Sequence, residues 1–430
     1  MPKQIDEVFG VSTSILSDSY VDRGDLDEKI TSYLRRDNHI AIRGASKTGK
    51  SWLRQKVIPN ALVVQCRLNK TVEDIYREAL GQLGIRLEIS QSATRSLSGT
   101  VEAQTEFGTS LIGKVSAKLG ITGSTSKAIE TQAVRQNIND LDFICQLLRE
   151  SGKRLVIEDF HYLNHDERKR FAFDLKAMWD LELFVVVVGV WSDTNLLLHL
   201  NSDLTGRVRE VSVLWSESDL LEILRRGSRA LNLQISPKLA TELVSISYKN
   251  AGILQRITLD SLDEAGITGG KAAAQNLDSP ESVSTAAMFY AEELNSVYQT
   301  FAQNVSAGIK KRSNSTGIYA HALAVVLAAE DQDLIEGVPA STIFATAHAR
   351  ESRIQQGNLK TALGNIERLQ IDEDGRGLVL TFADNKVRAV DQQLLLYRRF
   401  ATVRWPWEDM IAQADAAGED YAAPTSGDLE

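Results

Sequence analysis

The sequence predicts an α/β fold built on a parallel sheet and continued by helical units, and three observations predict it. Short apolar runs recur between longer helical patterns: Ile40-Ala41-Ile42, Leu62-Val63-Val64-Gln65-Cys66, Leu155-Val156-Ile157 and Leu183 to Val190. Strands spaced by helix-length crossovers imply parallel pairing. The first run leads without a gap into Gly44-Ala45-Ser46-Lys47-Thr48-Gly49-Lys50-Ser51, which fits G-x-x-x-x-G-K-[ST]. Far downstream, three helical patterns precede two strand-like runs flanking Ala383-Asp384-Asn385, the pattern of a hairpin.

The glycine-bounded run has a physical reading. Glycines at its two ends let the backbone curl so that successive N–H groups point inward at phosphate oxygens. The helix beginning near Lys50 adds its positive end, Lys50 reaches the β- and γ-phosphates, and the Ser51 hydroxyl ligates Mg²⁺. All eight residues, Gly44, Ala45, Ser46, Lys47, Thr48, Gly49, Lys50 and Ser51, are therefore expected to bind ATP or ADP.

Composition narrows the class. With 430 residues, two or three domains are expected. A net charge of −9 argues against a polycation that coats nucleic acid, although a local basic face is compatible with it. Cys66 and Cys145 give neither a disulfide framework nor a zinc spacing, which suits a reducing cytosol. The first residues lack a signal-peptide core, and the most apolar run, Phe184 to Val190, is too short to cross a bilayer. A cytoplasmic protein without a membrane partner is expected.

Taken in order, residues Met1 to Tyr20 are weakly patterned. Tyr20 to Asp27 leads into a helix ending near Arg36, with Leu26, Ile30 and Leu34 on one side. This stretch either covers the nucleotide base or packs on the sheet. Val72 to Leu83 reads as an amphipathic helix. Residues 90–127, rich in Ser, Thr and Gly, read as an inserted polar hairpin or a loop, and helix resumes over Ala128 to Glu150.

Arg154-Leu155-Val156-Ile157-Glu158-Asp159 is an apolar strand ending in two carboxylates, expected beside the phosphate loop. One carboxylate would hold the Mg²⁺ shell opposite Ser51 and the other would polarise the attacking water. By position Glu158 takes the metal role and Asp159 the base role. The usual order is Asp then Glu, so the division between them stays open. The strand ending at Val190 offers Ser192, and then Asn195, to the γ-phosphate or the lytic water. Arg207, and less so Arg209, could be lent to a neighbouring copy's nucleotide, where a finger meets charge that develops in the transition state.

This order of strand, G-A-S-K-T-G-K-S, V-I-E-D, polar strand end and G-R-V-R resembles the AAA+ and STAND branch of P-loop ATPases. The helices at Glu217 to Leu224, Pro237 to Ser247 and Ala251 to Ile257 resemble the helical lid of replication-initiator and origin-recognition-type members. The resemblance spans roughly Tyr20 to Thr268. It implies that a lid arginine, here Arg256, touches the γ-phosphate. The expected fold is a P-loop NTPase parallel sheet with a helical lid, followed by a C-terminal winged helix-turn-helix. Its expected units are a core over 1–214, a lid over 215–268, a linker and helix over 269–312, the winged helix over 313–404 and a disordered acidic tail over 405–430.

In the winged unit, helices are expected over Ile318 to Glu330, Pro339 to His348 and Gly357 to Gln370. Were it to read duplex DNA, Asn358, Lys360 and Thr361 would face the major groove, and Arg376, Lys386 and Arg388 would meet phosphates. Asp331, Asp333, Glu336, Asp372, Glu373 and Asp374 nearly offset the basic residues there. Winged helices also dock proteins. The sequence therefore suggests an ATP-binding and hydrolysing switch acting with DNA, with a signal-transducing STAND ATPase controlling a partner effector as the alternative. Beyond ATP or ADP, the expected partner is another copy in an ATP-dependent homo-oligomer or a partner effector protein.

Overall fold

The structure is a computed structural model and describes residues 2–90, 98–118, 136–137, 141–191, 195–308, 316–370 and 378–411. Its centre is a five-stranded parallel sheet. The strands are β1 (His39–Arg43), β2 (Leu62–Gln65), β3 (Leu155–Glu158), β4 (Val186–Gly189) and β5 (Val208–Ser212), in the spatial order β2-β3-β4-β1-β5. The acidic strand β3 is not beside β1 as expected, because β4 stands between them, pairing Ile42 with Val188 on one side and Val156 with Val186 on the other. The polar end of β4 therefore adjoins both the phosphate loop and the acidic pair.

Alternation along the strands sorts their side chains. Ile40, Ile42, Val156, Val186 and Val188 pack with Leu53 of α1 (Lys50–Val57), while Ala41, Leu155, Ile157 and Val187 face the opposite layer. Strands buried on both faces read as continuous apolar runs, which is why β1, β3 and β4 are legible in the sequence. Full burial of one such Ile or Leu contributes about 1.5–3 kcal/mol.

The insertion is more regular than its composition suggests. A hairpin is present but begins earlier than expected, pairing Ile85–Ser90 with Ser98–Ala103, and the alternation from Lys114 lies instead in a helix, Glu106–Lys118, that buries Leu111, Ile112 and Val115. The helix expected from Ala128 is described only over Leu141–Glu150.

Beyond the sheet, helices Glu217–Leu231, Pro237–Ile246 and α2 (Ala251–Glu264) form the lid. A helix of 28 residues, α3 (Pro280–Ala307), follows. Then come helices Ile318–Val326 and Asp331–Glu336, a short strand Val338–Pro339, helices Ala340–Arg350 and Gln356–Gly364, and the hairpin Leu380–Ala383 and Lys386–Ala389. Leaving aside the short Asp331–Glu336, this order of helix, strand, two helices and hairpin matches the expected winged helix-turn-helix pattern, and the segment is termed the winged unit. Its third helix ends at Gly364 and a separate one, Ile366–Gln370, follows. The hairpin turns on Asp384 and Asn385, both at positive φ (52° and 56°), the backbone state these residues tolerate in two-residue loops.

Lid, α3 and winged unit share one apolar core that also takes in Ile5, Val8 and Phe9 from the weakly patterned N-terminus. Phe9 is fully buried against Gly227, where even a Cβ would come within 2.1 Å of its ring. Part of the expected tail is packed: Trp407 is buried and stacks on Trp405 with ring centroids 4.5 Å apart, and a helical turn reaches Ile411, while 412–430 lie outside the described residues. Among the described residues no helix is long and apolar enough to cross a membrane.

Candidate functional site

The phosphate loop runs from the C-terminal end of β1 into α1. Gly49 has φ +82°, a state that favours glycine, and Lys47 adopts a positive φ of 61°. The Thr48 hydroxyl donates to the Ala45 carbonyl at 2.9 Å, and Lys50 Nζ donates to the carbonyls of Gly44 (3.0 Å) and Ala45 (2.6 Å). Trp215 Nε1 donates to the Thr48 carbonyl at 2.9 Å. The loop is thus tied closed along its outer edge.

A cavity of about 410 Å³ opens over it, within the range of small-molecule and cofactor sites. From the loop and the acidic strand it is lined by Gly49, Lys50, Ser51, Asp159 and His161. The N-terminal arm contributes Gly10, Tyr20, Val21 and Arg23, so the stretch ahead of β1 covers this cavity. The far side is made by Trp215, by Gln255 of α2, and by Val379 and Asp391 of the winged unit.

Arg23 is the least expected of these. It is 4% exposed, lies over the Trp215 ring at 4.4 Å and donates from Nη2 to the Gly49 carbonyl at 3.3 Å. Burial lowers its affinity for a proton, and burial pushes Lys50 down to about 8 despite the pull of Asp159. Two desolvated cations beside a phosphate-shaped loop favour an anionic ligand. His161 accepts the Val190 N–H at Nδ1 (3.3 Å), and burial pushes its pKa down to about 4, so a neutral imidazole links the acidic strand to the end of β4.

The two carboxylates separate. Asp159, at φ +55°, borders the cavity and accepts from Gln65 Nε2 at 2.9 Å. Glu158 does not line it and instead pairs with Arg54 Nε of α1 at 2.9 Å. Arg54 lies one turn beyond Ser51, so Ser51 and Glu158 belong to one side of the sheet. The Ser51 hydroxyl and the Asp159 carboxylate are hard oxygen donors of the kind Mg²⁺ takes together with phosphate oxygens and water. Glu158, given the metal role on sequence position, is already matched by a cation. No group of three metal-ligating His, Cys, Asp or Glu side chains occurs among the described residues.

The sheet order β2-β3-β4-β1-β5, with the phosphate loop after β1 and the acids one strand removed, is that of a P-loop nucleotide-binding fold. No protein-family model and no curated protein matches the sequence. Among solved structures, the chain is similar to the Aeropyrum pernix Orc1 protein in complex with DNA, at 10% identity and a TM-score of 0.37, covering 93% of this chain and 94% of that one. It is also similar to a Pyrococcus horikoshii STAND protein with a tetratricopeptide repeat sensor, at 11% and 0.36, covering 95% of this chain but only 45% of that one. A third is the Thermotoga maritima RuvB Holliday junction branch migration motor, at 11% and 0.34, covering 85% and 91%. Likenesses this distant say nothing of activity; strand order and phosphate loop carry the fold.

Other expected residues fall elsewhere. Arg256 is not at the cavity: its guanidinium bonds Asp260 (2.6 Å) and Glu293 (2.8 Å), and its neighbour Gln255 lines the cavity instead. Arg207 precedes β5 at the His39 end of the sheet, a strand's length (about 16 Å) from the loop. It lies over the Trp179 ring at 4.8 Å and donates to the Asp203 carbonyl. Ser192 and Arg376 lie outside the described residues. Asn195 begins the helix Leu196–Leu200 and donates its N–H to Glu210.

In the winged unit, Lys360 and Thr361 are exposed on the third helix, and Lys386 is half-buried. Asn358 is spent on capping, its Oδ1 accepting the Gln355 N–H at 2.8 Å. Arg388, expected to meet phosphate, instead donates to the Glu336 carbonyl at 3.0 Å and holds the wing to the preceding helix.

Proposed function

We propose that the chain is an ATP-dependent switch in which occupancy of the phosphate loop sets the position of the winged unit. One observation carries this reading: the winged unit is bonded to the loop itself. Lys47 Nζ donates to Gln393 Oε1 (2.6 Å) and to the Tyr290 hydroxyl (3.2 Å). Asn250 bridges the Ser46 carbonyl (2.8 Å) and Gln392 Oε1 (3.0 Å). A triphosphate in the loop competes for Lys47 and places negative charge near Asp391, and such differential contacts are what shift a two-state equilibrium.

Within the cavity, Lys50 and Arg23 would neutralise the phosphates, and Ser51 with Asp159 would hold Mg²⁺, which supplies charge neutralisation at the transferred phosphate. Asp159, the cavity-facing carboxylate, is our choice for orienting water. Arg207, far from this cavity, serves hydrolysis only if a neighbouring copy in a homo-oligomer receives it.

For the output we favour duplex DNA held through the exposed third helix. Replacing Lys360 with Ala should then lower the dependence of binding on salt by about one counter-ion, read by titrating a duplex at several salt concentrations. Absence of duplex binding with nucleotide bound would reject this output. The second reading, control of a partner effector protein, draws on Asn358 and Arg388, two expected DNA contacts that are committed within the fold. Size-exclusion chromatography with and without ATP and duplex separates the two readings.

A further inference from the structure

The two acids ending β3 meet opposite surroundings, and Glu158 carries the unusual one. It shares its face of the strand with Val156, toward α1, and its Oε1 accepts from Arg54 Nε at 2.9 Å. Both side chains are largely enclosed, at 13% and 12% exposed for Glu158 and Arg54. Arg54 stands three residues after Ser51 on the same helix, a spacing that makes the hydroxyl and the guanidinium neighbours. A cation in contact with Glu158 cancels most of the attraction that carboxylate would offer a divalent ion nearby.

Three cations also meet at the loop. Arg23 reaches the Gly49 carbonyl, Lys50 spans Gly44 and Ala45, and Lys47 sits between them in sequence. Opposing them in the cavity are only Asp159 and Asp391 among the described carboxylates. Phosphate charge is met here by the chain itself.

Resting on the nucleotide-binding reading above, we propose that Arg54 is a resident counter-ion for Glu158, so that the nucleotide binds with little dependence on Mg²⁺. Arg54 is a positioning residue: it acts through Glu158 and touches no reacting atom. Were the pair merely a strut between α1 and β3, its loss would lower stability and leave metal dependence alone.

The test uses the full chain and a fluorescent ADP, titrated once in excess Mg²⁺ and once in EDTA. The unmodified protein should show dissociation constants within about threefold of each other. Arg54→Gln frees Glu158 to attract the metal and should bind at least about tenfold more tightly with Mg²⁺ than without. Arg54→Lys keeps the cation and should behave like the parent. Arg54→Gln with Glu158→Gln removes the carboxylate that the single variant leaves unmatched, guards against misfolding of the single variant, and should again be insensitive. An unmodified protein that weakens tenfold or more in EDTA overturns the proposal, as does a folded Arg54→Gln that binds equally in both buffers. Failure of the unmodified protein to bind in either buffer would strike the nucleotide reading instead.

Discussion

The phosphate loop and the winged unit touch each other, yet they are built on opposite principles. The loop keeps its shape through backbone: Gly49 at positive φ, and carbonyls of Gly44, Ala45 and Thr48 held by Lys50, Thr48 and Trp215. The winged unit grips it through neutral side-chain amides, those of Gln392 and Gln393, with Tyr290 of α3 beside them. Loop geometry is set largely within eight residues, with Trp215 as an outside support. The grip joins Lys47 to a residue 346 positions later. A single hydrogen bond contributes only about 0.5–1.5 kcal/mol net, and up to about 3 with a charged partner. The difference teaches that the cradle is fixed and the grip is exchangeable, as a switch requires.

The sharpest way to break that contrast is at the cradle. Lys50→Ala should cost about 3 kcal/mol of nucleotide affinity, roughly 100-fold, with circular dichroism unchanged. Isothermal titration with ADP measures it, and affinity within a few-fold of the parent would mean that the fixed half is not the binding half.

Next in size is a difference in acid sensitivity. His39 is fully buried in β1, with Nε2 bonded to the Leu175 carbonyl and Nδ1 accepting the Val185 N–H. Burial pushes its pKa down to about 4 from the usual 6.5. Its folded pKa lies below its unfolded one, so the unfolded chain binds more protons between these values, and stability falls as pH drops through that window. Between pH 7 and pH 5 the core should lose roughly 2 kcal/mol from this group. Urea midpoints at the two pH values measure the loss, and His39→Asn should shrink it. An equal drop in that variant would assign the acid sensitivity to other groups.

What was legible in the sequence divides along the same line. The phosphate loop, the buried strands and the Asp384-Asn385 hairpin depend on spacing within a few residues, and they emerge where expected. The lid helix α2 also emerges, but its rotation does not: successive residues turn by about 100°, so Gln255 reaches the cavity while Arg256 turns to Asp260 and Glu293. Nothing local fixes that phase. It is set partly by Gly252, whose N–H donates to the Lys47 carbonyl (3.0 Å) and where a Cβ would sit 2.5 Å from that oxygen. Glu158 and Asp159 are adjacent, and the positive φ of Asp159 sends the chain off the strand between their destinations. Ile5, Val8 and Phe9 are too few to show a period, and Gly, Ser and Thr obscured the buried Leu111, Ile112 and Val115 of the insertion helix. Arg23 has no spacing signal at all; only packing on Trp215 brings it to the loop.

The smallest effect probes the exchangeable half alone. Gln393 Oε1 accepts from both Lys47 Nζ (2.6 Å) and the Tyr290 hydroxyl (2.5 Å), and its Nε2 reaches Asp391 at 3.1 Å. Gln393→Ala removes the acceptor but leaves Tyr290 within 3.2 Å of Lys47. The cost should therefore be about 1 kcal/mol, equivalent to roughly a fivefold shift toward the undocked winged unit. Because the cradle is made by backbone, amide hydrogen exchange in α1 should stay as in the parent, whereas exchange in Gln393–Phe400 should quicken. Equal acceleration in both would mean that loop and winged unit open as one body, and the contrast between a fixed cradle and an exchangeable grip would fail.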